Sequence, residues 1–271
     1  MPTAAEIERA LYAWAPRELA ASWDNVGLLV GSGSAPVTRV LVALDVTEQA
    51  AEEAAARGAE LIVAHHPVMN CRWHAVQNVV DDNPQGRTLT KLLKSGVSAI
   101  CMHTNLDAAD GGVNDVLARL LGLERLAPLS EEKIGRVGVL KSEKRLEEFL
   151  SDVVKSLHCE GLRYRDGGKP VRKVAVGGGA CAEYVEAAIA LGCDTFVTGD
   201  LKYHEFLDAT GVNLIDAGHF ETEYPVCEAI AAYLSAEFPG LDVLRSASCR
   251  SVVRYYAAPG ANGWGAAQTT E

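Results

Sequence analysis

An apolar run from Leu61 leads directly to two adjacent histidines, His65 and His66, and then to Pro67. Because proline cannot donate to a sheet ladder and biases the preceding residue toward extended backbone, a strand is predicted to end at this pair. Adjacent side chains of a regular strand point to opposite faces, so both histidines serve one site only at a bent strand end or with ions on either side. A paired metal centre satisfies this geometry. The alternative is one buried structural histidine beside an exposed one.

Two further apolar runs lead to histidine and carboxylate residues. One strand is predicted to end at His103, after which a short polar loop brings Asp107 round, and another runs into His219, with Glu223 four residues later. A carboxylate can bridge two cations while imidazoles bind them from the other side. Taken alone, Asp107 is equally explained as a loop or helix-cap residue and Glu223 as a first-turn acid favoured by the helix dipole. A shared metal site explains all three segments at once.

The helix that follows His219 is predicted to begin beside Glu223. Thr222 is a reasonable N-cap, and Pro225 is tolerated within a first helical turn. We therefore expect His219 in the loop before this helix, without an i,i+4 pairing to Glu223 on one helix face.

Nitrogen and oxygen ligands without sulfur predict two divalent ions per chain, of zinc, iron or manganese, without choosing among them. Two ions about 3.5 to 4 Å apart lower the pKa of bound water and stabilise charge on the attacked group, which makes hydrolysis the predicted reaction. His103 and Asp200 are the candidates for moving protons or orienting ligands. The competing interpretation is a metal-dependent scaffold, metallochaperone or interaction protein. A zinc deaminase is disfavoured because the motifs H-x-E and P-C-x-x-C are absent.

Short β-branched runs alternate with Ala-rich helical stretches that end at glycine, which predicts an α/β fold with largely parallel sheet. Residues 39–64 align without a gap on residues 173–198, with seven of the twenty-six positions identical. We interpret this as an internal duplication of one α/β unit, although any two βα units share some of these features. Ligands of open α/β sheets collect outside the carboxyl ends of the strands, which is where the histidines and acids lie.

The predicted division of the chain follows from this repeat. Residues 1–127 are expected to form the first lobe and residues 128–240 the second. Closing strands within 241–258, one of them over 251–256, are expected to join the first lobe, and residues 259–271 form a flexible tail.

The composition excludes several classes of function. A formal net charge of -11 with no Lys/Arg-rich stripe disfavours general nucleic-acid binding. No apolar run approaches the roughly 18 residues of a membrane span, and residues 1–17 do not resemble a secretory signal, so a cytoplasmic location is expected. The seven cysteines are scattered without a C-x-x-C pair, which indicates neither a disulfide framework nor a thiolate zinc cage.

Five segments of the chain resemble the motifs of the NIF-three-like family, whose members are often labelled GTP cyclohydrolase type 2 homologues. They occur in the family's order over nearly the whole chain and are SWDNVGLLVG (22–31), AHHPV (64–68), HTNLDAADGGVN (103–114), TGDLKYHE (198–205) and GHFETE (218–223).

The resemblance implies a dinuclear metal centre in the cleft between two similar α/β lobes, and a ring-shaped homohexamer. Its metal ligands fall on His65, His66, Asp107, His219 and Glu223, with His103 close by. The run of three glycines at 177–179 departs from the family, where many relatives have a serine. The family label implies attack on the imidazole ring of GTP, but the glycine run lacks the lysine of a P-loop, so the expected substrate is a small molecule with a nucleotide as one candidate.

Overall fold

The structure, a computed structural model, describes residues 1–69 and 79–256. The strands of these residues form two sheets. The first sheet has the order β1-β4-β3-β2-β11, with β1 (Gly27–Val30), β2 (Arg39–Ala43), β3 (Leu61–Ala64), β4 (Ser98–Cys101) and β11 (Asp242–Arg245). The second has the order β5-β6-β8-β9-β10-β7, with β5 (Glu124–Pro128), β6 (Arg136–Lys144), β7 (Arg163–Arg165), β8 (Val171–Val176), β9 (Thr195–Thr198) and β10 (Asn213–Asp216).

The α-helices of the described residues pack around these two sheets. They are α1 (Ala4–Trp14), α2 (Glu48–Ala56), α3 (Pro84–Ser95), α4 (Thr104–Ala108), α5 (Val113–Leu120), α6 (Leu146–Leu157), α7 (Val185–Ala190), α8 (Tyr203–Asp208), α9 (His219–Glu223) and α10 (Val226–Glu237). None of them has the length and apolarity that a membrane span requires.

Each of the two sheets contains four strands in the same arrangement, which confirms the prediction of two similar α/β lobes. The order β1-β4-β3-β2 of the first lobe matches β7-β10-β9-β8 of the second, with the first strand antiparallel and the others parallel in both. The registers also match, since Val40 pairs with Leu61 in one lobe and Val174 with Thr195 in the other. These are the residues that the gap-free alignment equates.

In each lobe, one carboxylate accepts hydrogen bonds from backbone N–H groups near the beginning of the first strand of the repeat. Glu60 accepts hydrogen bonds from the backbone N–H of Arg39 and the residue before it, at 2.9 and 3.1 Å. Asp194 accepts from the N–H of Lys173 and the residue before it, at 2.7 and 2.9 Å. The alignment places Glu60 and Asp194 at the same position. The duplicated unit therefore retains a hydrogen-bonding device as well as its strand order.

The lobe limits differ from those expected from the sequence. Strand β5 begins at Glu124 and pairs within the second sheet, ahead of the expected limit at 127. Helix α10 lies in the expected second lobe, but Ile230 and Leu234 are buried in the core that contains Val40 of the first. Strand β11 joins the first sheet as expected, whereas residues 251–256 are not a strand. The expected tail, 259–271, lies outside the described residues.

A buried arginine ties the second sheet to the helix that carries Asp107. Arg136, on β6, is 2% exposed and its Nε pairs with the carboxylate of Asp115 on α5. Its Nη2 donates to the carbonyl oxygens of Ala108 and Ala109, at 3.1 and 3.0 Å, where α4 ends. Because a buried charge is stable only when paired and hydrogen-bonded, this network fixes α4 relative to the second lobe.

We expect Arg136→Ala to lower the free energy of unfolding by about 3–5 kcal/mol, because it removes the buried cation that pairs with Oδ1 of Asp115 and donates to the carbonyl oxygens of Ala108 and Ala109. Arg119→Ala is the matched control, since Arg119 pairs with the same carboxylate from a side chain that is 62% exposed. The control is expected to cost less than about 1 kcal/mol. Urea unfolding of both variants measures the difference, and equal costs would contradict the role given to Arg136.

Candidate metal centre

The histidines of the candidate centre follow the carboxyl ends of three parallel strands. His65 and His66 follow β3, His103 follows β4, and His219 follows β10 in the other lobe. The end of β3 is bent, because the N–H groups of His65 and His66 both donate to the carbonyl oxygen of Leu44, at 3.1 and 2.9 Å. The bend allows two adjacent histidines to face one site.

Glu223 lies at the middle of this group. Its Oε2 is 2.9 Å from His66 Nε2 and 3.0 Å from His219 Nε2, while its Oε1 is 3.7 Å from His65 Nε2. Asp107, at the end of α4, places Oδ1 3.7 Å from the same nitrogen of His65. The five residues predicted as ligands therefore lie close together between the two lobes.

His219 and Glu223 lie on one short helix, α9, and face each other at i,i+4 spacing. The prediction that His219 precedes the helix was wrong, as was the assignment of Thr222 as its N-cap. The hydroxyl of Thr222 instead donates to the carbonyl oxygens of Gly218 and His219, at 2.8 and 2.9 Å. Helix α9 begins earlier because Gly218, with φ 92°, makes the turn from β10 that no other residue type makes without strain.

In each histidine of the centre, Nδ1 contacts a polar group that is not one of the five predicted metal ligands. Three of them contact a carboxylate: His66 reaches Asp45 at 2.7 Å, His103 reaches Asp24 at 2.9 Å, and His219 reaches Asp200 at 2.8 Å. The fourth, His65, contacts the carbonyl oxygen of Met102 at 2.8 Å. Such partners fix the tautomer and leave the Nε2 lone pair for a metal ion.

The polar atoms that converge here are not satisfied by the protein. His65 Nε2, Asp107 Oδ1 and Glu223 Oε2 are buried without a hydrogen-bond partner, despite the short contacts of the last. Asp107 is 8% exposed, Glu223 4% and His65 0%. Buried polar groups of this kind are costly unless they are paired or coordinate a metal ion. The donor set of imidazole nitrogens and carboxylate oxygens therefore fits a divalent metal.

Three overlapping groups within the described residues could each hold an ion. They are His65 with His66 and His103, His66 with His219 and Glu223, and His65 with Asp107 and Glu223. His103 thus belongs to the centre itself, and Asp200 lies behind His219, with its side chain 58% exposed.

The electrostatics also fit a cation. Burial raises the pKa of Asp107, although the nearby His65 opposes the shift. Burial acts in the same direction on Glu223, but the contacts with His219 and its neighbours outweigh it and hold the pKa of that carboxyl well below its usual range. The pKa of His219 rises to about 9, because its contacts with Glu223 and Asp200 outweigh the effect of burial. The imidazoles thus hold protons where a metal ion would otherwise sit.

Two glycines admit the ligands of the second lobe. A Cβ on Gly179 would lie 2.2 Å from Glu223 Oε1, and φ at this residue is +67°. A Cβ on Gly199 would lie 2.7 Å from the backbone nitrogen of His219. The space that Glu223 occupies thus explains in part the three-glycine run at 177–179.

Asp24 and Asp45 are the site residues that sequence reasoning missed or left open. Asp24 contacts His103 and also accepts from the N–H of Thr104, at 3.0 Å, and its pKa is about 2 because the contacts with His103 and Thr104 outweigh burial. Asp45 follows strand β2 just as His66 follows β3. An acid at the next strand end was the signal that could have revealed it.

Cavities open on both sides of the centre. One, of about 780 Å³, reaches His66, Asp45 and Asp200. The other, of about 730 Å³, reaches His103 and Asp107. His219 lines both, so the centre is accessible to small molecules from either side.

Comparison with known proteins places the chain among relatives of the same fold. The family model described as Duf34/NIF3 (NGG1p interacting factor 3) matches residues 2–250. A protein of Clostridium perfringens named "GTP cyclohydrolase 1 type 2 homolog" is 37% identical over 221 residues, covering 78% of this chain and 83% of that protein. A Streptomyces coelicolor protein of the same name is 36% identical over 248 residues and covers 86% of each. The crystal structure of a hypothetical protein of Staphylococcus aureus, 28% identical, superimposes with a TM-score of 0.86 over 94% of this chain and all of that one.

We expect Asp45→Asn to weaken metal binding by about 10- to 100-fold. The side-chain amide of asparagine can donate to His66 Nδ1, and the imidazole proton then lies on Nε2, the atom that would bind the metal ion. Competition with a chromophoric chelator measures the affinity. Asp208→Asn, at an exposed position on α8, is the control and is expected to leave the affinity unchanged. Equal affinities for the two variants would contradict the role of Asp45.

Metal affinity is also expected to rise with pH up to about 9. The pKa of His219 is about 9 and that of His66 is raised well above its usual value, so both are protonated in the metal-free protein at pH 7. The contribution of the protonated His219 to the stability of that form is complete below the unfolded value of about 6.5 and is lost as pH rises through about 9. Titration calorimetry in two buffers at pH 7 should record the release of about two protons per chain. A pH-independent affinity between 7 and 9 would contradict this expectation.

Proposed function

Because the chain belongs to the Duf34/NIF3 (NGG1p interacting factor 3) family, we propose that it is a dinuclear metal-dependent hydrolase of small molecules. The observation that carries the proposal is the buried, unsatisfied carboxylate of Glu223 between histidines of both lobes. The relatives' name, GTP cyclohydrolase 1 type 2 homolog, supports hydrolysis as the reaction class.

The two oxygens of Glu223 support two ions rather than one. Oε2 faces His66 and His219, and Oε1 faces His65, which in turn faces Asp107. Each oxygen thus has its own set of donors, and one carboxylate is shared. We assign one ion to His66, His219 and Glu223 and the other to His65, Asp107 and Glu223.

Two ions of this kind lower the pKa of bound water and neutralise charge on the attacked group. The chain's own residues hold the donors in place: Asp45, Asp200 and the carbonyl of Met102 fix the imidazole rings of His66, His219 and His65. His103 faces the cavity with its Nδ1 on the buried Asp24, which holds it for accepting or delivering a proton at Nε2 or for binding an ion. Asp200 is assigned to positioning His219, since it contacts that ring.

The alternative function is a metal-binding scaffold, metallochaperone or interaction protein that does not turn over a substrate. The two cavities favour the enzyme, because a closed structural metal site gives substrate no access. A homohexameric ring is also proposed, on the resemblance to the family alone, and sedimentation of the full chain tests it. The metal is proposed to be zinc, iron or manganese.

The proposed hydrolase predicts about two metal ions per chain in protein purified without added metal, measured by elemental analysis. We expect the metal-loaded protein to hydrolyse at least one member of a panel of nucleotides and phosphoesters. Glu223→Gln is expected to lower that rate by about a hundredfold or more and to reduce the metal content, because a neutral amide does not replace the shared carboxylate.

Glu228→Gln, on the neighbouring helix with its side chain 79% exposed, is the matched control and should retain both metal and rate. If the loaded wild type binds a partner but hydrolyses nothing, the enzyme proposal fails and the scaffold remains.

A further inference from the structure

The cavity that reaches His66 and His219 is walled on one side by the last described part of the chain. Residues 246–256 follow β11, and we call them the C-terminal segment. Within this segment, residues 248–253 and Tyr255 line the cavity. Phe220 and two histidines of the metal centre, His66 and His219, line it as well.

The C-terminal segment is anchored to both lobes. The carboxylate of Glu53, on α2, accepts from the N–H groups of Ala247 and Ser248, at 2.9 and 3.0 Å. The N–H of Leu44, at the end of β2, donates to Cys249 Sγ at 3.2 Å. In the second lobe, Tyr255 packs on Gly161, where an added Cβ would lie 3.0 Å from the ring. These contacts with both lobes therefore hold the C-terminal segment in place.

Three residues of the wall are apolar and are exposed among the described residues. Val252 is 93% exposed, Val253 56% and Tyr255 44%. The hydroxyl of Ser251, between the anchor and the valines, is buried and has no hydrogen-bond partner. Adjacent apolar side chains exposed at the rim of a cavity of about 780 Å³ are characteristic of a surface that a ligand covers.

The charges around the same cavity do not favour a polyanion. Its carboxylates outnumber its guanidinium groups, and the charged residues are Asp45, Asp200, Asp216, Glu221, Arg163 and Arg250. The guanidinium of Arg163 is already paired with the carboxylate of Asp216 and donates to the carbonyl oxygen of Leu201 at 2.7 Å. Arg250 donates to the carbonyl oxygen of Ala247 at 3.0 Å. The metal centre and this one guanidinium are therefore the groups that could attract an anionic group, which is few for a polyanion.

We propose that this cavity selects small molecules that combine one metal-binding head group with an aromatic or branched aliphatic body. The head group lies at the centre, and the body packs on Val252, Val253 and Phe220. This ligand class rests on the proposed dinuclear centre and narrows its substrates away from nucleoside triphosphates, which would meet the excess of carboxylates.

Two probes with the same head group test the proposal, benzohydroxamate and acetohydroxamate. We expect the zinc-loaded full-length protein to bind benzohydroxamate about tenfold or more tightly in titration calorimetry, because its phenyl ring leaves water for the apolar wall. GTP should displace bound benzohydroxamate only at concentrations higher than those at which acetohydroxamate displaces it. Equal affinities for the two hydroxamates, or displacement by GTP at lower concentrations than acetohydroxamate, would overturn the proposal.

The double substitution Val252→Ser and Val253→Ser is expected to reduce this preference toward onefold while leaving the affinity for acetohydroxamate unchanged. The matched control is Leu93→Ser with Leu191→Ser, which replaces two exposed apolar residues away from the cavity and should keep the preference. A preference that survives the valine substitutions places the ring elsewhere and overturns the proposal. So does a change in sedimentation on these substitutions, which would make the wall a contact between chains.

The metal-to-protein ratio of each sample separates the two proposals. A ratio near two with equal hydroxamate affinities overturns the ligand class alone, whereas a ratio near zero contradicts the dinuclear centre itself.

Discussion

The structure depends on the burial of two carboxylates, Asp107 and Glu223, beside His65, where one polar atom of each of the three residues has no hydrogen-bond partner. Removing an ionised carboxylate from water costs several kcal/mol, and without a cation this arrangement weakens the fold at the junction of its two lobes. The chain nevertheless supports it with glycines that give Glu223 room and an arginine that fixes the helix of Asp107. A cluster that destabilises the fold and is nevertheless held by other residues indicates a binding site, because apolar residues would pack more favourably at the same positions.

The duplicated sheet explains how ligands so far apart in sequence meet. Parallel strands end at the same edge, and each lobe presents that edge to the other, so His65 and His66 from one lobe face His219 from the second. The connection between the lobes then has to be rigid, since a shift of one lobe changes the distances from Glu223 to His65 and His66. The buried pair of Arg136 and Asp115 provides that rigidity.

The ligands could be predicted from the sequence because each of them follows an apolar run, and the strand period and proline chemistry locate the ends of such runs. The supporting residues could not. Asp24 precedes its partner His103 by 79 positions, and only the fold brings them together. The start of α9 was misplaced because Thr222 has the residue type of an N-cap, while the turn at Gly218 decides where the helix begins. Residues 251–256 have the β-branched pattern of a strand, but they pair with neither sheet.

The two lobes have also diverged in a way that has become hard to reverse. The alignment equates His65 with Gly199 and His66 with Asp200. The first lobe therefore has two candidate metal ligands at these positions, whereas the second has a glycine and an acid that contacts the candidate ligand His219. A side chain at Gly199 would now collide with the backbone of His219. A histidine at position 199 would therefore require α9 to move, so no single substitution there gives the second lobe the ligand that the first lobe has at position 65.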